Sequence, residues 1–405
     1  MKKTFLIALC FIALPMSTMA QLISLSSTES RNKLWLDPNR IYDYNLYEKS
    51  RWGLGLQYDI NFKTEKELNA MENPTGFKTL SFSGYGAYGY GDQRFKWGLK
   101  ADLQGASTKQ SHTYLEISHD LTADASRTLS TPDFNILRAP ASFMTNFFSD
   151  SYRLTLGHSR KITKRIFESL ELRLSRERPL HDDFYLFYPA SYSELKDLKY
   201  NDYIEGLIYV AHTSGWSAQL IVGTTDVTPL NPFSRLLVQY DHHFYFSFLN
   251  LGIFAQAGGV VSNETPYSRM FDLGGTWGSP LLLNHALLTA RVNEFTANVF
   301  SMVNLKLTTR KPLAEFYNKL LAIGTSPQPF LLCNAAWGYL WEQTNYIAPD
   351  RGIAEVGAGI DGLLVWGEIH WGFGVVYRLT PEAAPYHFSD PKDNLTYLFT
   401  AYLDL

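Results

Sequence analysis

Across residues 52–62 apolar and polar side chains take turns without a break. Trp52, Leu54, Leu56, Tyr58, Ile60 and Phe62 alternate with Gly53, Gly55, Gln57, Asp59 and Asn61. Successive side chains of a strand point to opposite faces, so the run predicts a strand with an apolar face and a polar one. Its length matches one tilted membrane-crossing strand, about 9–11 residues. The pattern recurs: Phe95, Trp97, Leu99, Ala101 and Leu103 oppose Arg94, Lys96, Gly98, Lys100, Asp102 and Gln104. Near the end, Val365, Ile369, Trp371, Phe373, Val375 and Tyr377 oppose Glu368, His370, Gly372, Gly374 and Arg378. In the last segment Leu395, Tyr397, Phe399, Ala401, Leu403 and Leu405 oppose Thr396, Thr400 and Asp404. A row of charges so regular cannot face hydrocarbon, which leaves the aromatic row to do so. Soluble sandwiches and lipocalin-like barrels also alternate, but strand length, the aromatic rows and the number of strands favour a membrane barrel.

The connections order the strands. With the C-terminus on the periplasmic side, short connections fall at 361–363, 240–243, 213–215 and 160–164. Longer ones fall at 379–393, 342–351, 262–295, 224–232 and 177–201. Residues 309–328 are the exception, long but periplasmic by parity, with 313–321 patterned as an amphipathic helix. Read forward from residue 52, with 91–93 as a periplasmic turn, the two directions agree only if an odd number of strands lies between residues 121 and 150. Residues 131–138 are the candidate. The expectation is an all-β, transmembrane, antiparallel up-and-down β-barrel of about 16 strands (14–16), with long external loops at 63–77, 177–201, 262–295 and 379–393.

Lys2 and Lys3, an apolar run over 5–14 and small residues ending at Ala20 form the pattern of a secretory signal. A lipoprotein signal at Cys10 is disfavoured by the large residue before it. The organisation expected is a signal peptide over 1–20, a short N-terminal periplasmic segment over 21–50 and the barrel over 51–405. Loss of Cys10 leaves Cys333 alone, so no intramolecular disulfide is available. Aromatic residues make up 15% of the chain while the mean hydropathy is -0.15, which suits strands that show lipid on one side and water on the other. A formal net charge of -3 gives no footprint for nucleic acid.

Several stretches carry a family resemblance. They are Leu273, Gly274, Gly275 and Thr276; then Val292, Asn293, Glu294 and Phe295; then the apolar-basic stretch 311–321; then Ala354, Glu355, Val356, Gly357, Ala358, Gly359, Ile360 and Asp361, with a final Gly-rich strand reaching Tyr377 and Arg378. Over about residues 271–405 the chain resembles the barrel portion of an outer-membrane family of unassigned function whose larger members carry an N-terminal carboxypeptidase-regulatory-like domain. It is more distantly similar to surface-antigen barrels of the assembly-factor type. The resemblance implies a cell outer-membrane location and a barrel architecture. The short segment between the signal and the first strand leaves no room there for the accessory domains of either group.

Candidate chemistry is sparse. His212, Thr213 and Ser214 resemble the spacing of outer-membrane lipases and deacylases, in which a histidine activates a serine two residues away. Here Gly215 and Trp216 follow, and the segment reads as a tight hairpin. In Asp241, His242 and His243 the neighbouring histidines point to opposite strand faces, so one metal ion cannot hold both without a bulge, and a polar periplasmic turn is expected. Gly84, Gly86, Gly89 and Gly91 lie among tyrosines and suit barrel curvature, not phosphate binding. No catalytic, metal or cofactor site is expected. The lumen-facing row is expected to hold Arg94, Lys96, Lys100, Glu171, Arg173, Glu355, Asp361, Glu368 and Arg378, whose mixed signs imply a salt-bridged interior. Cys333 belongs to the outward row with Leu331, Ala335, Trp337 and Tyr339. Expected partners are outer-membrane lipids and, through the strand at 394–405, the barrel assembly machinery. A pore or general envelope role leads; a scaffold or assembly-related barrel and a lipid-modifying enzyme using His212 and Ser214 are the alternatives.

Overall fold

Along residues 328–339 the side-chain period is visible in solvent exposure. Leu331, Cys333, Ala335, Trp337 and Tyr339 are exposed, and Leu332, Asn334, Ala336 and Gly338 between them are buried. Pleating sends each class to its own face, and the same division recurs along 52–58, 170–177 and 235–239. This computed structural model describes residues 32–37, 42–45, 49–62, 76–90, 93–106, 111–123, 148–179, 200–227, 230–262, 269–273, 287–289, 296–310, 327–341, 350–366, 369–380 and 395–403.

The elements are β1 (Asn32–Asp37), β2 (Tyr42–Asn45), β3 (Lys49–Asn61), β4 (Phe77–Gly89), β5 (Arg94–Gly105), β6 (His112–Ala123), β7 (Phe148–Lys161), β8 (Ile166–Pro179), β9 (Asn201–His212) and β10 (Trp216–Val227). They continue with β11 (Leu230–Tyr245), β12 (Leu249–Ser262), β13 (Phe271–Asp272), β14 (Thr296–Ala297), β15 (Val299–Thr309), β16 (Gln328–Tyr339), β17 (Ile353–Trp366), β18 (Ile369–Arg378) and β19 (Leu395–Leu403). Seventeen of them form one sheet, and β13 and β14 form a separate two-stranded ladder. β1 pairs with the 55–60 half of β3 and β2 with its 49–52 half, so the two share one strand position. From there each strand pairs antiparallel with the next in sequence, β3 through β12 and then β15 through β19. Seventeen segments thus occupy sixteen positions. The molecule is a transmembrane, antiparallel up-and-down β-barrel. Its outer face shows Trp52, Leu54, Phe95, Leu99, Leu172, Leu331 and Phe373, each left uncovered by the protein itself. Among the described residues no register pairs β19 with β1 or β2.

Three sequence expectations need correction. First, β6 and β7 pair directly over their full length, from His112 opposite Ser159 to Ala123 opposite Phe148. A continuous ladder leaves no edge for a strand between β6 and β7; the candidate at residues 131–138 lies outside the described residues. The missing position is supplied by β1 and β2 instead, inside the segment assigned ahead of the barrel. Second, removing that strand inverts the parity of the N-terminal half. The connection at 62–76 now lies at the same end as the tight turns 162–165 and 213–215, and the turn at 90–93 lies at the other end, with 180–200 and 263–295. The loop at 63–77 therefore does not share an end with the other long loops. β1 begins and β19 finishes at the tight-turn end, as an even number of positions requires. Third, residues 240–243 and 361–363 are not turns. β11 runs through them to Tyr245, with His243 opposite Gly252, and β17 takes a bulge between Ile360 and Leu364 and continues to Trp366. The proposed helix at 313–321 lies outside the described residues.

Candidate functional site

The inner face is divided. From β3 to β8 it is polar, with Gln57, Asp59, Ser81, Ser83, Lys100, Glu116, Thr155 and Arg173 turned away from the exposed aromatic row. From β11 to β18 it is apolar, with Leu237, Phe254, Val260, Phe300, Met302, Phe330, Leu332, Ala336, Ile353 and Val376 buried. Apolar side chains inside a barrel need a cover, and the chain supplies one. Residues 269–273 and 287–289, from the connection between β12 and β14, lie across this half as an internal strap. Phe271, Leu273 and Leu287 join the cluster built by β11, β12, β15, β16 and β17, and Leu288 packs with Phe330, Leu332 and Val376. Each such side chain taken fully from water is worth about 1.5–3 kcal/mol. The Phe271 ring sits 4.5 Å from the Phe300 ring, and the Arg235 guanidinium lies 4.2 Å above it. Space for Phe271 comes from Gly258, where a Cβ would come within 2.7 Å of the ring and 2.8 Å of the Leu236 carbonyl oxygen.

Charged anchors hold both ends of the strap. At one end Arg269, 1% exposed, donates from Nε to Glu205 of β9 at 2.7 Å and from Nη1 to Glu177 of β8 at 3.3 Å, with its guanidinium 4.1 Å above the Tyr203 ring. Glu177 also accepts from Arg153 at 3.3 Å and Ser175 at 2.9 Å. Burial works to push the Arg269 pKa down, but Glu205 and then Glu177 outweigh it and hold it well above its ordinary value. At the other end the fully buried Glu355 carboxylate of β17 accepts the backbone N–H groups of Leu288 and Thr289, both at 2.8 Å, the Thr289 hydroxyl, and Asn334 Nδ2 at 3.1 Å. Arg378 of β18 donates to Thr289 Oγ1 at 3.0 Å and to its carbonyl oxygen at 2.9 Å. A buried carboxylate with four donors is satisfied where an unpartnered one would be costly. The strap therefore runs from β8 to β18, near the end that carries the connections 180–200 and 263–295. Residues 262–295 were expected as an external loop. Their described parts lie instead inside the barrel, because their apolar side chains and Arg269 find complementary groups there.

The residues of the expected lumen row have varied surroundings. Glu355 and Arg378 form the second anchor. Asp361 accepts from Lys306 Nζ at 2.9 Å. Glu171 accepts from Arg173 Nε at 2.7 Å and from the Tyr114 hydroxyl at 2.8 Å, while Lys100 lies 4.5 Å above the Tyr114 ring. Lys96 is fully buried. Arg94 departs from its row: it donates to Asp150, which shares a strand face with the exposed Tyr152. Glu368 lies outside the described residues. Glu177, Glu205, Arg269 and Thr289 were missed. The available signals were Glu177 and Glu205 on the polar sides of alternating strands and the apolar Leu287 and Leu288 within a connection.

The remaining candidates resolve as local structure. His212 Nδ1 and Ser214 Oγ are 2.6 Å apart, but Nδ1 also accepts the Ser214 backbone N–H at 3.0 Å, a turn-closing contact. Gly215 follows with φ 96°, and a Cβ there would lie 1.8 Å from the Asp241 carbonyl oxygen, so this hairpin requires glycine. Among the described residues no carboxylate orients His212. His242 packs between Tyr240 and Phe244 on one face of β11, and His243 stacks on Tyr245 on the other. Among the described residues no group of three or more His, Cys, Asp or Glu side chains could hold a metal ion.

No family model matches the chain, and no curated protein matches it, so the family resemblance rests on the residues quoted for it. Among solved structures the chain is similar to CdiB from Acinetobacter baumannii, with 10% identity and a TM-score of 0.40 over 92% of this chain, and it spans 59% of that chain's length. It is also similar to a bacterial polysaccharide outer membrane secretin, with 8% identity and a TM-score of 0.31 over 82% of this chain and 84% of that one. Likeness at this level gives no residue correspondence.

Proposed function

We propose that the protein is an outer-membrane conduit held closed by its internal strap, exported by a signal peptide at 1–20 and assembled through its C-terminal strand. The polar inner face of β3 to β8, with Lys100, Glu116, Glu171 and Arg173 contributing charges of both signs, lines the path for small hydrophilic solutes. The strap fills the apolar half and narrows what remains. One observation carries this reading: both anchors are built from buried charged groups on strands far apart in the sheet, β8 and β9 against β17 and β18, so the strap is tied across the interior at two places. A loop that merely rested on the rim would need neither. The fourfold donation to Glu355 fixes position, and ordered charge pairs inside a barrel define discrete closed and open arrangements.

The test is conductance in planar bilayers. The intact protein is expected to be silent or to open in brief, rare steps. A variant in which residues 263–295 are replaced by a short Gly-Ser turn is expected to give long-lived steps. An intact protein that conducts as freely as the shortened one removes the gate from the reading.

A further inference from the structure

The outer face of β6 to β10 is unlike the rest of the belt. At the end carrying connections 124–147 and 180–200 it bears His119, Tyr152, Arg176, Arg178, Tyr200 and Asp202 in one cluster. His119 stacks on Tyr152 with ring centroids 4.1 Å apart. The guanidiniums of Arg176 and Arg178 lie 5.4 Å and 4.9 Å from the centre of the Tyr200 ring. Asp150 sits beneath, bonded to His119 at 2.8 Å and Tyr200 at 3.0 Å, with Arg178 at 3.9 Å. Arg176 and Asp202 approach to 3.6 Å. Asp150 is sealed at 2% exposure while Arg176 keeps 61%, Arg178 32% and Arg94 36%. The cluster therefore holds three guanidiniums against two carboxylates, of which only Asp202 is open to the surface.

Along the same strands lies a cavity of about 510 Å³, lined by Leu156, Leu170, Leu172, Ile208, Leu220 and Val222. Its cause is local. The registers place Gly206 between Leu172 and Val222, so one outward position in the row has no side chain. The far end is closed by Thr113 and His158, bonded to each other at 2.8 Å. Arg176 pairs with Asp202, and Gly206 lies four residues further along β9, about 13 Å at roughly 3.3 Å per residue. On a strand tilted by roughly 40° this is a depth of about 10 Å, within one leaflet's half of a hydrocarbon core of about 30 Å.

We infer that this face is a binding site for one phosphate-bearing membrane lipid of the leaflet at that end, with its phosphate on Arg176 and Arg178 and an acyl chain in the groove over Gly206. Guanidinium forks match phosphate oxygens in geometry as well as charge. Tyrosines at this depth suit the interfacial region. The chain length between headgroup and groove fits one leaflet. The inference rests on the membrane-barrel reading and is independent of the strap.

The experiment uses the full chain inserted in vesicles, with insertion checked first by flotation so that failure of the barrel reading is seen separately. Retention of dimyristoyl phosphatidic acid is then measured by native mass spectrometry on the solubilised protein, beside dimyristoylglycerol and inorganic phosphate. One phosphatidic acid is expected to remain bound, with neither control retained. Arg176→Ala with Arg178→Ala is expected to weaken retention by about tenfold or more. Gly206→Leu should do the same by filling the groove; a Cβ there has only the Val222 carbonyl oxygen nearby, at 3.8 Å, so the barrel accommodates it. Equal retention of dimyristoylglycerol, equal binding of phosphate alone, or unchanged retention in both variants overturns the inference.

Discussion

Replacing Arg269 by Met is the sharpest perturbation of the strap. The substitution keeps most of the side-chain volume and removes the charge, which leaves Glu177 and Glu205 without the guanidinium they share. Glu177 retains Arg153 at 3.3 Å and Ser175 at 2.9 Å. Glu205, 3% exposed, has no other cation within bonding distance among the described residues. Removing one member of a buried charge pair costs about 3–5 kcal/mol. If that cost falls on the closed arrangement, the open-to-closed ratio rises on the order of a hundred- to several-thousandfold. Single-channel recording at fixed voltage reads this directly as open probability. Because the anchor is buried, the wild-type closure should change little with ionic strength. A variant whose unfolding midpoint falls while its trace stays like the wild type would refute the reasoning, since Arg269 would then hold the wall together without holding the strap.

Gly258→Val forces a side chain into the Phe271 ring and the Leu236 carbonyl; overpacking of this kind costs about 1–3 kcal/mol, and it should lower the urea midpoint and raise the open probability together, as measured in detergent and in bilayers. Arg269 has a folded pKa above its ordinary value, so its contribution is complete below the unfolded pKa and is lost only as pH rises through the raised folded one. Closure should therefore persist from neutral into strongly alkaline solution, and an open probability that climbs through mildly alkaline pH would contradict the anchor.

The wall was legible because its signal is local. A period of two, repeated at Trp52 to Phe62 and again at Leu331 to Tyr339, needs only that oil lie on one side. The count near sixteen was also within reach, but its composition was not. β1 and β2 are short, Pro38 separates them, and only pairing with β3 identifies them as wall. A strand at 131–138 gives the same count from the sequence, but it reverses the side assigned to 63–77. The strap was out of reach for a different reason. Arg269, Leu273, Leu287 and Thr289 lie in a stretch without period, and what fixes them is partners 64 to 92 residues away in sequence. Strand parity places Glu355 and Arg378 on the inward face, side by side in the β17–β18 ladder; that both meet a connection depends on tertiary docking alone.

β16 has a further use. Its Cys333 thiol points out of the wall, while the adjacent Asn334 points inward and bonds Glu355. A fluorophore or spin label on that sulfur would be immersed in acyl chains yet stand back to back with one of the knots that restrains the interior. Release of that knot would register as a change in label mobility, so the molecule carries its own reporter on the side of the wall that solutes never visit.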